Sequence, residues 1–550
     1  MIKLFHYSII LTLLLSCFKK IQNDFSDQIN FPLSSDISSL DPAIAFDEVS
    51  LTILYQVYEP LFEYDYNSPN PTLIPLLAKK MPDVSDDLLT YTFYIKENIS
   101  YHPHPDLDPG RTVKAKDFVT QIKRLAYTPL KGQGFWLFEG KVEGIDQFKK
   151  NTQSLDQLFN NKISGIKIID DHSFSIKLIK PYPQMLYAMA MAFTVPIPEE
   201  ILKKNNNLLE NFEIGTGPFV LDTFKRSHKI LLKKYDKYHN PALPKVGKIH
   251  FPFMKESQTR WLNFLNNKID FFSIGKSHFD LILNKNGELK PELAKKNFKL
   301  IKAPSLTYWW FSFNMGNSVF SKNKNLRLAF AHAINRTKYI ELFTNNTAQI
   351  ANSIYHPTNF GYSSDNFNNF SFDLEKAKKF LAAAGYPNGK GLAQITLDTR
   401  SSASEALHQA EFIKSQLQKI GVELKIETNT FEGFLRKARK GELEFWLDGW
   451  HLDYPDSENI LQLLSSKNHP PGVNSTYYKN SSFDGLFEEL KITPNNPRKV
   501  ELMRKLEKIV QDNLPWAMLF YSRSYSIFHN RIKNYKSHPM ATNKLKYLSL

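Results

Sequence analysis

A chain of 550 residues with one cysteine has no internal disulfide and no thiolate-ligated zinc, so its fold rests on burial across large domains. It also lacks the familiar catalytic signatures. There is no Gly-x-Ser-x-Gly, no His-Glu-x-x-His and no Gly-rich dinucleotide fingerprint. Gly385-Tyr-Pro-Asn-Gly389-Lys390-Gly391 has neither the spacing nor the Ser/Thr of a phosphate loop, which argues against ATP hydrolysis. No stretch after the N-terminus is continuously apolar over the roughly 20 residues that a membrane-spanning helix needs. With 42% hydrophobic residues, 23% charged, 22 Gly and 30 Pro in no repeating pattern, disorder and low-complexity scaffolding are excluded, and two or three domains are expected. The net charge of +15 is scattered in pairs such as Lys79-Lys80 and Lys233-Lys234. That pattern favours solvated faces over a nucleic-acid footprint.

The N-terminus combines Lys3, an apolar run through Leu15 and the sequence Leu14-Leu15-Ser16-Cys17. This reads as an export signal, and Leu-Leu-Ser-Cys resembles the bacterial lipobox, whose cysteine is acylated after the preceding peptide is removed. Cys17 is the candidate lipidation site. Residues 1–17 would be the signal, and 18 to about 28 a tether.

Further along, 40–66 reads as turn, helix, turn, with Leu51, Ile53, Leu54 and Val57 as its apolar content. Tyr91 to Ile95 alternates like a strand. Phe118, Val119, Ile122 and Leu125 predict a helix, and 166–178 a hairpin around Asp170-Asp171. Asp373 is expected to cap a helix stopped by Gly385, and Ser404 a second one through Ile420, stopped by Gly421. Strands at 395–397 and 422–426 flank the second helix. That order implies a parallel crossover, whose ligand crevice lies beyond the carboxyl ends of the strands. A last helix is expected at about 497–513. His102-Pro-His104-Pro-Asp106 offers two imidazoles and a carboxylate, but in an extended proline-held loop with no third histidine nearby; no metal and no cofactor is expected.

The segment from Gly441 to Lys467 stands apart. Before Lys467 it has no Lys or Arg, yet it carries Glu442, Glu444, Asp448, Asp453, Asp456 and Glu458, interleaved with Phe445, Trp446, Trp450 and Tyr454. A carboxylate shielded beside indole faces suits an ammonium ligand; a solvated acidic loop after a buried strand has equal claim on composition alone. Gly449 before Trp450 lets backbone approach another group closely.

Gly449-Trp450-His451-Leu452-Asp453-Tyr454-Pro455-Asp456 resembles the Gly-Trp-x-x-Asp-Tyr-x-Asp/Glu signature of bacterial extracellular solute-binding proteins of family 5, the oligopeptide- and dipeptide-binding components of ABC importers. Ser39-Leu40-Asp41-Pro42, Val57-Tyr58-Glu59-Pro60-Leu61, Lys114 to Val119, Gly215-Thr216-Gly217-Pro218-Phe219, Leu326-Arg327-Leu328-Ala329, Ala333-Ile334-Asn335-Arg336 and Ala382 to Pro387 are similar to further family segments, in order along almost the whole chain. The resemblance implies a two-lobed α/β periplasmic-binding-protein-like fold (class II) with an additional inserted α/β domain. Lobe I would comprise 18–58 (with the tether), 200–302 and 512–550, the inserted domain 59–199, and lobe II 303–511. It also implies a monomeric, non-enzymatic lipoprotein that binds peptide and hands it to an ABC permease with its ATPase subunits.

By the same resemblance, Asp453 pairs with the ligand's α-ammonium and Trp450 walls the cleft. Gly449 and His451 offer backbone groups, and Tyr308 and Trp309 line the opposite side. The lack of a base within the segment speaks against dipeptide selectivity, unless Arg260 or Arg400 approaches from elsewhere. A surface or signalling lipoprotein, or a binder of a nickel complex, glutathione or sugar, stays open.

Overall fold

The computed structural model describes residues 27–550 apart from 69, 208, 210–213, 317 and 365–369, so Cys17 and its signal lie outside the described residues. The largest sheet is mixed. Its strand order is Phe271–Ser273, Trp516–His529, Phe298–Phe313, Phe445–His451, Ile395–Asp398 and Leu424–Glu427, with Gln349–Ile350 on Trp516–His529. The 16-residue Phe298–Phe313 strand runs unbroken through the expected lobe boundary at 302/303 and pairs antiparallel with Trp516–His529 along nearly its whole length. One end of this ribbon packs in a cluster with Trp261, Phe264 and Phe272, the other in the core around Phe311, Phe330 and Phe445. The ribbon therefore joins two apolar cores, and it changes register between Pro304 and Tyr308, near the crossing.

Two four-stranded sheets and a two-stranded one, Phe62–Tyr64 with Leu73–Pro75, complete the named sheets. Of the four-stranded sheets, one orders Gln28–Asn30, Lys248–Pro252, Lys229–Lys234 and Phe219–Lys225; the other orders Asp83–Val84, Thr90–Tyr94, Ser173–Lys177 and Ile166–Asp170, which contains the expected hairpin. The expected tether ends at the first of these strands, where Gln28 pairs with Lys248. No helix among the described residues is long and apolar enough to cross a membrane.

The crossover forms as patterned. Ile395–Asp398 lies parallel to Leu424–Glu427 with the Ser404–Gln418 helix between them in sequence. Asp373 caps the Leu374–Ala383 helix by accepting from the Lys376 amide, and Gly385 and Gly421 take the positive φ of helix stops. Ser404 does not cap its helix: it is the first helical residue, the cap position is Ala403, and no side chain bonds there. Leu407 is exposed, although Ala410, Ile413 and Leu417 at helical spacing from it are buried.

Several segments that carried the family resemblance are braces. Asp41 and Arg124 form a fully buried bidentate pair at 2.7 and 3.1 Å. Arg327 and Arg336 donate to backbone carbonyls of Phe320, Asn513, Ala351, Met518 and Phe370, tying helix ends to strands. Gly215 sits so close to Val57 that an added Cβ would stand 1.8 Å from the Val57 carbonyl oxygen, so only glycine fits.

Candidate functional site

The Phe445–His451 strand is buried at its start and half-buried to exposed at its end, and this gradient creates the site. On one edge it pairs antiparallel with the Phe298–Phe313 strand from Phe445 through His451. On the other edge it meets Ile395–Asp398 only at Phe445 and Trp446. From Leu447 onward that second edge has no strand partner among the described residues. It lies at the carboxyl ends of the parallel strands, where a crevice was expected.

Arg400, two residues beyond the Ile395–Asp398 strand, reaches this edge. Its Nη1 donates to Asp448 Oδ1 at 3.0 Å and to the Gly449 carbonyl at 3.3 Å, and its guanidinium lies 5.3 to 5.8 Å from the rings of Phe431, Phe434 and Trp309. Of the two bases that could approach the segment from elsewhere, Arg400 does so, from 48 residues before Asp448. Arg260 does not approach; it donates to the carbonyls of Met254 and Lys255.

The six acids of the segment separate. Asp448 is held by Arg400 and by Trp446 Nε1 at 3.0 Å. Asp456 is buried in an ion pair with Lys499, and Glu444 accepts from the Thr396 amide. Glu442 lies 3.8 Å from Lys440, and Glu458 accepts from the Tyr454 hydroxyl at 2.5 Å. Asp453 has no Lys or Arg ion pair and no bond from a charged or hydroxyl group among the described residues, and of the six only Glu444, held by a backbone amide, shares that state. Asp453 Oδ2 accepts from Asn459 Nδ2 at 3.0 Å.

The carboxylate of Asp453 is reached by water in this structure, so the shielding expected of it is not supplied by the chain alone. Protein nonetheless surrounds it closely enough that desolvation raises its pKa above 3.8, opposed by the Asn459 bond and by His451. Burial raises the pKa of Tyr182, and the charge of Asp453 is the smallest of the further causes. The next residues make the contact itself: the Tyr454 and Tyr182 hydroxyls are 3.3 Å apart, the Tyr187 ring stacks on Tyr454 at 5.5 Å, and Gln184 donates to Asp456 at 3.4 Å.

The other expected site residues divide. Trp450 is half-buried beside Asp453, with Nε1 donating to Asn459 Oδ1 at 2.8 Å. His451 is exposed and hydrogen-bonds Thr307 Oγ1 through Nδ1 at 2.8 Å. Trp309 is half-buried, and its indole lies over Gly449, where an added Cβ would stand 2.7 Å from Cε3. The group that Gly449 lets come close is therefore Trp309. Tyr308 must be withdrawn as a cleft residue: it is fully buried among Trp310, His356 and Tyr521. Neighbours in a strand face opposite sides, so Tyr308 and Trp309 could not both line one wall. Asn459 was not expected there, and an Asn six residues past the aspartate was the only local signal for it. His102 is buried against the Gly217 carbonyl at 2.8 Å and is not presented beside His104 as a metal ligand. No cluster of three metal-ligating side chains occurs among the described residues.

A continuous two-strand ribbon thus joins two apolar cores, beside an unpaired strand edge and a carboxylate with no Lys or Arg partner among the described residues. Residues 72–471 match the bacterial extracellular solute-binding proteins, family 5 Middle, and the chain belongs to that family. It is similar to the dipeptide-binding protein of Escherichia coli (strain K12), at 24% identity over 90% of this chain and 89% of the relative. It is also similar to heme-binding protein A of Haemophilus influenzae, at 26% identity over 88% and 85%. Among solved structures, the ABC transporter-associated periplasmic binding protein DppA of Helicobacter pylori, in complex with the peptide STSA, superposes with a TM-score of 0.72. It shows 26% identity and covers 95% of this chain and 98% of its own. The fold is the α/β fold of periplasmic binding proteins, as expected.

Proposed function

We propose that this protein captures peptides by their ammonium terminus in the interlobe cleft and delivers them to an ABC permease, held at the membrane through a lipid on Cys17. The observation that carries this reading is the state of Asp453. It is a partly desolvated carboxylate with no cationic partner, and its side chain is fixed by Asn459 at the mouth of an unpaired strand edge. An ammonium group supplies the missing charge, and an extended main chain supplies the strand that 447–451 lacks. Closing the lobes over the ligand would remove the water that now reaches Asp453 and strengthen the pair. Closure by differential affinity is how a binding protein reports occupancy. Arg400 places a base along the same edge, so a terminal carboxylate has a partner within reach and short peptides fit as well as long ones. The lobe boundaries and the discontinuous first lobe belong to this proposal, as does a monomeric state.

The test is calorimetric titration of short peptides, with and without a blocked N-terminus, into wild type and Asp453→Asn. Removing one partner of a desolvated charge pair costs about 2–5 kcal/mol, so the variant should lose at least about thirtyfold in affinity and N-acetylated peptides should bind no better to wild type. Equal affinity of blocked and free peptides would sink the reading. Mass spectrometry of ligand released from purified protein would identify the natural cargo.

A further inference from the structure

On the Asp448 and Trp450 face of the unpaired edge lies a cavity of about 270 Å³, walled by Trp310, Trp450, Phe431, Phe434 and Val473 and reached by Arg400 and Arg439. A cavity of about 150 Å³ already accommodates benzene, so this one has room for a phenyl, phenol or indole group. Its charge is not balanced by a free acid. Both oxygens of Asp448 are taken, Oδ1 by Arg400 and the Gly449 amide and Oδ2 by Trp446 and, at 3.5 Å, Ser475. The Arg439 side chain forms no ion pair among the described residues, so the cavity keeps one uncompensated positive charge. Phe431 and Val473, at 52% and 42% exposure, are large apolar side chains left open to water at its mouth. Exposed apolar side chains around a concave, aromatic-walled space mark a place where something apolar is to be covered.

We infer that this cavity is a selectivity pocket that takes one aromatic side chain of the bound peptide and rejects lysine and arginine. The inference rests on the reading of the cleft as a peptide site. A chain added as a strand along 447–451 must send alternate side chains to the two faces. One face meets Trp309 over Gly449, and the other opens into this cavity. Edge-on and offset ring contacts with Phe431, Phe434 and Trp310 favour an aromatic occupant over an aliphatic one, while the unpaired charge of Arg439 repels a cationic one.

The experiment titrates alanine tripeptides carrying Phe, Ala or Lys at each of the three positions. Burying an aromatic side chain should make the Phe peptide bind about tenfold or more tightly than the Ala peptide at one position, with the Lys peptide weakest there. Val473→Trp fills the mouth from an exposed loop position and should erase the Phe-to-Ala ratio. Arg439→Glu, on an exposed helix turn, should bring the Lys peptide level with or above the Ala peptide. Equal affinities for Phe, Ala and Lys at all three positions, or a Phe-to-Ala ratio unchanged in Val473→Trp, overturn the pocket. The sensitivity of the Ala tripeptide itself to Asp453→Asn reports separately on the cleft. If that sensitivity is present while the Phe preference is absent, the pocket falls and the receptor reading stands.

Discussion

Asn459 and Asp453 are joined twice: Asn459 Nδ2 donates to Asp453 Oδ2 at 3.0 Å, and the Asp453 amide donates back to Asn459 Oδ1 at 3.3 Å. The same Oδ1 takes Trp450 Nε1 at 2.8 Å, so one amide fixes both the carboxylate and the indole beside it. The Asn459 bond also acts to lower the pKa of Asp453 against desolvation, which raises it. Peptide affinity requires the ionised carboxylate and is therefore lost as pH falls through that raised value. Asn459→Ala removes the opposing bond. It should shift the acid limb of the binding profile to higher pH and weaken binding at neutral pH by about tenfold, the worth of a charged hydrogen bond. Peptide titrations of both proteins between pH 4 and 7, on the order of steps of half a unit, would check the direction; an unshifted limb would refute it.

Gly449 and Trp309 are fitted to each other. A methyl group at 449 would press into the indole at 2.7 to 2.8 Å, closer than Cβ contacts are found, and the ring must turn away. Gly449→Ala should lower stability by about 1–3 kcal/mol and change the tryptophan emission. In Gly449→Ala with Trp309→Ala the clash is gone, so the two effects should be markedly non-additive, with a coupling of about 1 kcal/mol or more in denaturant melts.

Glu507 is a buried acid away from the cleft. It accepts from the Ser353 hydroxyl and, at 3.3 Å, from the Ile354 amide, yet burial lifts its pKa from 4.5 to about 7. A raised folded-state value means that the native chain holds this proton more tightly than the unfolded chain. Its contribution is full below about pH 4.5 and is lost as pH rises through about 7, by up to about 3 kcal/mol. Glu507→Gln keeps an acceptor for Ser353 without the charge. It should be more stable than wild type at pH 8 and lose that advantage at pH 5, read from thermal melts at the two values.

The parts of this molecule that were legible in advance are those written locally. Asp373 and Gly385 bound their helix, and the strands expected at 395–397 and 422–426 form a parallel pair, Ile395–Asp398 with Leu424–Glu427. What was not legible depended on distant chain. Arg400 neutralises Asp448 and Lys499 neutralises Asp456 across 48 and 43 residues, so a segment that looked uniformly acidic holds two compensated carboxylates beside Asp453. Tyr308 was misplaced because strand alternation says that adjacent residues face apart, but not which of them faces the cleft. Only its burial among Trp310, His356 and Tyr521 takes Tyr308 out.

Lys499 and Asp456 carry the last prediction. Their charged atoms are 2.6 Å apart and both side chains are almost wholly buried, where an unpaired charge is most costly. Asp456 Oδ1 also accepts from the Glu458 amide at 2.9 Å and from Gln184 at 3.4 Å, so the pair sits behind the contact that the Tyr454 segment makes with Tyr182 and Tyr187. Lys499→Met deletes the cation and leaves the anion desolvated, which should cost about 3–5 kcal/mol in denaturant melts. Adding Asp456→Asn to that variant removes the stranded charge while keeping an acceptor for Glu458. It should recover most of the loss, because neutral replacement of a buried pair is commonly near-neutral in stability. A double variant as unstable as Lys499→Met alone would mean that the pair stabilises through its geometry and not through mutual neutralisation. The same double variant leaves Asp453 and Asn459 untouched. Its peptide affinity should therefore follow wild type, unless the Gln184 bond is needed to hold the lobes together.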